Sequence, residues 1–178
     1  DAPTITDNSL SLDEDNIHVF QTSDLIDYQD VEDDELAGLK IISLPDQGSL
    51  LFNGTDVVVD QEIPIGQIMA LTYQPVADQN GDSYTSFQLA VKDDGDFPNL
   101  YSPTVTITID VQPVNDAPVF SLVSETAVDN QDGSYNLELE EDFETTETLE
   151  ILAGTVPTDE EDQAVTYSLS PASLEFAD

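Results

Sequence analysis

Thr104-Val105-Thr106-Ile107-Thr108-Ile109-Asp110-Val111 alternates strictly, with β-branched residues on both faces, as a half-buried strand should. Working outward from it, residues 86–91 (Ser-Phe-Gln-Leu-Ala-Val), 39–44 (Leu-Lys-Ile-Ile-Ser-Leu) and 165–169 (Val-Thr-Tyr-Ser-Leu) show the same period. Gly48-Ser49-Leu50-Leu51-Phe52, then Asn53-Gly54, then Thr55-Asp56-Val57-Val58-Val59 predicts a hairpin, because Asn and Gly both tolerate the positive φ of a type I′ turn. A second hairpin is expected around Asn130-Gln131-Asp132-Gly133, leading into a strand at 135–139. The one helical turn in the pattern lies near residues 64–69. Short strands with turn signals about every ten residues predict an all-β chain folded as a Greek-key β-sandwich.

The charge is extreme. Of 178 residues, 39 are Asp or Glu and 2 are Lys, giving a formal net charge of -37. That excludes a nucleic-acid partner, which needs a basic footprint to displace phosphate counterions, and disfavours an anionic membrane surface. No apolar run approaches the ~20 residues of a membrane span. Hydrophobic residues still make up 39%, enough to bury a core and too many for a disordered acidic tail. With no Cys there are neither disulfides nor thiolate metal sites. Two carboxylates about 5 Å apart cost roughly 3 kcal/mol at an effective dielectric of 20. Lys40 and Lys92 cannot neutralise so many. Neutralisation must come from outside, diffusely from salt or locally from divalent cations.

The chain repeats itself. Asp1-Ala2-Pro3 recurs as Asp116-Ala117-Pro118, Leu12-Asp13-Glu14-Asp15 as Leu139-Glu140-Glu141-Asp142, and Asp30-Val31-Glu32-Asp33 as Asp159-Glu160-Glu161-Asp162. Repetition in a fixed order at this period predicts a tandem array. The expected domains are a complete sandwich at 1–114 and the N-terminal half of a second at 115–178, which stops near its midpoint. The start at Asp1, without Met, reads as a piece cut from a longer protein. The second repeat is then either cut short or completed by a partner chain or by later sequence.

On a sandwich the acidic clusters fall at two ends. Asp27-Tyr28-Gln29-Asp30-Val31-Glu32-Asp33-Asp34-Glu35 and Lys92-Asp93-Asp94-Gly95-Asp96 should share the end beside Asp1. The other end should collect Asp13-Glu14-Asp15, Asp78-Gln79-Asn80-Gly81-Asp82 and the exit Val114-Asn115-Asp116, and the next domain would add Asp159, Glu161 and Asp162 to that junction. Pockets of hard oxygen donors on flexible loops suit Ca²⁺, which takes six to eight oxygens at about 2.3–2.6 Å, better than Mg²⁺. Zinc or copper would want His or Cys, and His18 stands alone. No Asp-x-Asp-x-Asp-Gly loop closes on a Glu, so an EF-hand is excluded.

At these residues the chain resembles a known family. Pro113-Val114-Asn115-Asp116-Ala117-Pro118-Val119-Phe120 is similar to the interdomain linker of cadherins, and Leu89-Ala90-Val91-Lys92-Asp93-Asp94-Gly95 to the cadherin Ala-x-Asp-x-Gly strand end. Residues 39–50, 71–75 and 80–84 resemble the chondroitin-sulfate-proteoglycan-like and cadherin-like repeats of large bacterial RTX-type adhesins. The resemblance implies a cadherin-like (Ig-like) sandwich. It also implies calcium ligands among Asp1, Glu14, Asp15, Asp30, Glu32, Asp33, Asp93, Asn115, Asp116, Asp159, Glu161 and Asp162, with Asp78 and Asp82 added from their loop. Pro113 stands where the cadherin linker has its first Asp, and one Asn is missing before Ala117, which predicts one or two ions at the linker rather than three.

The function implied is a Ca²⁺-rigidified extender of a secreted, cell-surface adhesin. Its partners would be neighbouring repeats and, through other domains, a host, bacterial-surface or carbohydrate ligand. Two alternatives stay open: a carbohydrate- or protein-binding module, which would show a cluster of exposed Tyr, or half of a split domain framing an inserted one. No enzyme is expected, since one His, no Trp and a small domain leave no catalytic grouping or cleft. Asp56, Asp60, Glu62, Glu144, Glu147 and Glu150 read as a solvated acidic shell, and His18 as a strand residue.

Overall fold

The burial of residues 105–112 follows their sequence alternation, with Val105, Ile107, Ile109 and Val111 inward and their neighbours outward, so the stretch forms a half-buried strand. The computed structural model describes residues 1–95, 101–116, 121–123, 127–131, 135–137 and 150–152. Strands dominate, and the chain is all-β. It divides into two units, Asp1–Val114 and Asn115–Asp178.

The first unit holds β1 (Asn8–Asp13), β2 (His18–Val19), β3 (Leu36–Ile41), β4 (Ser49–Phe52), β5 (Thr55–Asp56), β6 (Glu62–Pro64), β7 (Leu71–Gln74), β8 (Gly81–Asp93) and β9 (Val105–Gln112). They make two sheets, one ordered β1-β9-β8-β3-β6 and the other β2-β7-β4-β5. One core cluster draws Leu39, Ile41, Phe87, Leu89, Val91, Ile107 and Ile109 from the first sheet and Leu50, Leu71 and Tyr73 from the second. Phe20 meets Phe87 edge to face at 5.8 Å. Burying two inner faces against each other is the sandwich solution to half-apolar strands.

The predicted hairpin is present: Leu51 pairs with Asp56 and Phe52 with Thr55, while Asn53 (φ 53°) and Gly54 (φ 73°) supply the positive φ of the turn. Its second strand is shorter than expected. After Thr55–Asp56 the chain turns at Asp60 (φ 66°), leaving Val57 buried and Val58 and Val59 exposed. The strand expected at 39–44 instead starts at Leu36 and ends at Ile41, where the N–H groups of Ile42 and Ser43 both turn to the Gln88 carbonyl. The helical turn is a 3₁₀ segment, Ile65–Ala70, and His18 does lie on a strand.

In the second unit β10 (Ser121–Val123) pairs antiparallel with β13 (Glu150–Leu152), and β11 (Ala127–Asp129) with β12 (Tyr135–Leu137). The latter pair flanks the predicted turn at 130–133, and Gln131 has φ 63°. The strand expected at 165–169 lies outside the described residues. Among the described residues no helix is long and apolar enough to cross a membrane.

Candidate metal centres

The N-terminal end of the first unit is built by a short backbone bridge. Thr4 and Gln29 exchange N–H···O bonds of 2.7 and 2.9 Å, which brings the chain start alongside the 27–35 loop. The α-amino group of Asp1 then reaches Glu32 at 3.0 Å, an exposed pair of little energetic weight. Asp30 organises the loop: its Oδ1 accepts the N–H of Glu32 (2.9 Å) and of Asp34 (3.1 Å), the local turn for which Asp is suited. Its Oδ2 is buried and has no hydrogen-bond partner.

The end of β8 closes on this loop. Asp93 is 3% exposed, and its Oδ1 accepts the Gly95 N–H at 3.1 Å. Asp94 and Glu35 are bound reciprocally, the Asp94 N–H to the Glu35 carbonyl and the Glu35 N–H to Asp94 Oδ1, both at 2.9 Å. Gly95 lets the two loops come close: a Cβ there would push the Asp34 carboxylate aside and lie 3.3 Å from Asp93 Oδ1. Burial raises the Asp34 carboxyl pKa above its usual value, and Asp30, Asp93, Asp94 and Glu32 raise it further. Tyr28, whose hydroxyl donates to the Asp34 carbonyl at 3.1 Å, is pushed up to about 12 by burial and then by the same carboxylates.

The other end is arranged differently. Glu14, 1% exposed, accepts the Val114 N–H on Oε1 at 2.6 Å and Asn80 Nδ2 on Oε2 at 3.5 Å. Asp15 (φ 60°) and Asp78 (φ 55°) both occupy the left-handed region that Asp tolerates at turns. The Asp78 N–H meets Asp15 Oδ1 at 3.4 Å. Carboxylate oxygens of Asp15, Asp78 and Asp116 lie within 4.8 Å of one another, Asp116 being on the segment that leaves β9. Asn115 is exposed, and its Nδ2 donates to the Asp116 carbonyl at 3.3 Å.

Of the expected ligands, Asp1, Asp30, Glu32 and Asp93 gather at one end. Glu14, Asp15, Asp78 and Asp116 are placed as just described. Asp33 is exposed, with φ 61°. Asp82 was expected in a loop, but β8 begins at Gly81, so Asp82 is an exposed strand residue outside the Asp15–Asp78–Asp116 group. Asp159, Glu161 and Asp162 lie outside the described residues. Asp34 and Asp94 were not chosen from the sequence, although the Asp33-Asp34 and Asp93-Asp94 doublets carried the signal.

The donors suit a hard cation. They are all oxygens, and the buried Asp30 Oδ2 has no hydrogen-bond partner, a gap that an ion would fill. The lone imidazole is occupied elsewhere, His18 Nε2 lying 3.0 Å from Asp24 Oδ2. No protein-family model, no curated protein and no solved structure matches the chain.

Proposed function

We propose that this chain is a calcium-stiffened structural module of a large secreted adhesin, with cadherin-like repeats set in tandem and no catalytic role. One observation carries the reading: in a molecule with two cationic side chains, a buried Asp30 oxygen is left without a hydrogen-bond partner at the end where the Asp93 carboxylate is also buried and both act on Asp34. A buried charge is tolerated when it is paired or coordinates a metal. Calcium at Asp30, Glu32, Asp34, Asp93 and Asp94 would pair these charges and lock the chain start, the 27–35 loop and the end of β8 together. Calcium at Asp15, Asp78 and Asp116 would tie the turn after β1 and the loop before β8 to the segment that leaves β9. A row of such modules would be flexible where calcium is scarce and stiff outside the cell, where it is plentiful, and so would hold distal binding domains away from the surface.

The rival reading as a sugar-binding module needs exposed tyrosines gathered in one cleft. Among the described tyrosines whose surroundings are given, Tyr73 is buried, Tyr28 is bonded to the Asp34 carbonyl and Tyr84 to Gln79 Oε1, and Tyr101 lies beneath Lys40.

The test is calorimetric and thermal. Extracellular calcium modules have Kd of about 10⁻⁴–10⁻³ M, so about 10 mM calcium should add roughly 1.4–2.7 kcal/mol per ion by mass action. For a domain of this size each kcal/mol is worth about 4 °C in Tm. Superimposable melting curves in calcium and in chelator, with no heat of binding, would refute the proposal.

A further inference from the structure

The chain's two lysines meet at one place, and it is not in an acidic cluster. Glu62 on β6 is paired with Lys40 on β3, and Lys40 with Ala90 on β8, so these residues and Lys92 share one face of the sheet. Lys92 Nζ binds Glu62 at 2.6 Å. Tyr101, where the chain comes back to β8, lies against both: Lys40 Nζ stands 4.0 Å from its ring centroid and Lys92 Nζ 5.9 Å. The Tyr101 hydroxyl bonds Glu62, and the Lys92 and Tyr101 hydrogen bonds hold the Glu62 carboxyl below its usual pKa. Glu62, read from the sequence as part of a solvated shell, is thus the hub of the cluster.

Its position along β8 matters. Asp93 follows Lys92 and, by strand alternation, faces the other side of the sheet, where it is buried. At this point the ladder is irregular: Lys92 pairs with Gly38 but Asp93 pairs with Leu36, a bulge in β3. Bulges break regular pairing and re-aim side chains; past this one, Asp93 keeps its pair with Leu36 and the reciprocal Asp94–Glu35 bonds close the end of β8. On the return side the chain is fixed by Ser102, which donates its N–H to the Val91 carbonyl (2.8 Å) and accepts the Val91 N–H on Oγ (3.0 Å).

We infer that the Lys92–Glu62–Tyr101–Lys40 cluster is a positioning device for the metal centre proposed above, pinning β8 one residue before Asp93, at the bulge, so that the Asp93 carboxylate stays by Asp34. The inference rests on the calcium reading and makes Lys92, Glu62, Tyr101 and Lys40 positioning residues that touch no ion. Charge and position predict opposite signs. Deleting a positive charge near carboxylates, with nothing moved, tightens calcium binding; losing the pin loosens it.

The experiment is a calcium titration of the full chain followed by NMR, with the amides of Glu35 and Gly95 reporting this end and that of Asp78 the other. Lys92→Met should weaken affinity about tenfold at Glu35 and Gly95, the low end of effects from residues that orient metal ligands, and leave Asp78 unchanged. Lys92→Arg, which keeps the charge and the bond to Glu62, should restore it to within about twofold. Lys40→Met, which leaves the Lys92–Glu62 pair intact, should weaken it roughly threefold. Equal or tighter binding in Lys92→Met, or equal loss at both ends, overturns the inference while leaving the calcium reading in place. A wild-type protein whose amides do not respond to calcium overturns both.

Discussion

At one end of the first unit, Glu14 is as buried as the core residues around it, yet both its oxygens are used: one takes the Val114 N–H and the other the Asn80 side chain. At the opposite end, Asp30 spends one oxygen on two backbone N–H groups and keeps the other buried with none, while Asp30, Asp93 and Asp94 all act on the Asp34 carboxyl. Glu14 is withdrawn from water whole and Asp30 in one oxygen, in a molecule of net charge -37. The first carboxylate is satisfied within the fold and acts as a brace between the turn after β1 and the chain leaving β9. The second is satisfied only if something arrives. A buried acid with its own donors is a structural element; one without them is a demand for a ligand.

Substitutions at the two ends should therefore have opposite signs without calcium. The largest effect is expected for Glu14→Ala. It strands the buried-side donors of Val114 and Asn80, and should cost about 2 kcal/mol of calcium-free stability in a denaturant titration. A neutral result would mean that the brace is ornamental and the contrast false. Next, Asp30→Asn keeps an acceptor for Glu32 and Asp34 and turns a donor toward the neighbouring carboxylates. It should raise calcium-free stability by about 1 kcal/mol and abolish the calcium-dependent gain at this end. Destabilisation by Asp30→Asn in chelator would show that its second oxygen is already satisfied.

The smallest effect lies in the pH dependence. Asp34 has a raised pKa in the folded state, so folding takes up protons as pH falls from neutral toward the ordinary carboxylate range. Calcium-free stability should rise slightly through that window, and Asp34→Asn should flatten the rise. Glu62 has the opposite sign: its lowered pKa gives stability that is present above the ordinary carboxylate pKa and lost as pH falls through the depressed one. Lys92→Met should remove that acid-side loss. Melting curves across mildly acidic pH in chelator would separate the two, and a profile unchanged by either substitution would dissolve the distinction between the crowded carboxylates and the neutralised one.

The fold was readable wherever one sheet face is buried, because alternation then reports directly on burial, as in residues 105–111 and at the Asn53-Gly54 turn. It was less readable where pairing depends on distant partners. Nothing in Asn8–Asp13 says that it will lie beside residues 107–112, and nothing in Gly81–Tyr84 marks it as the start of β8. Val57-Val58-Val59 looked like a strand because the residues are β-branched, yet after the Val57 N–H bond to Leu50 the Val58 N–H and carbonyl both turn to Gln61, around the turn at Asp60. The acidic ends could be located as loops beside known strands. Which acids meet could not, because Asp34 and Asp94 are brought in by a turn around Asp30 and a reciprocal bond with Glu35, features of geometry rather than spacing. The destination of the two lysines was hidden for the same reason, since it depends on the β6–β3–β8 register.

The parallel pairing of β1 with β9, Asn8 opposite Ile107 through Asp13 opposite Gln112, fixes how the first unit would respond to being pulled. The chain enters at the start of β1 and leaves at the end of β9, so a force that separates residues 1 and 114 drives the two strands past each other lengthwise. All the hydrogen bonds between them then carry load together instead of peeling open one after another. A fold with this arrangement yields abruptly and at high force, and single-molecule stretching should show one tall rupture for this unit that Leu10→Pro, by deleting a rung from the middle of β1, makes shorter.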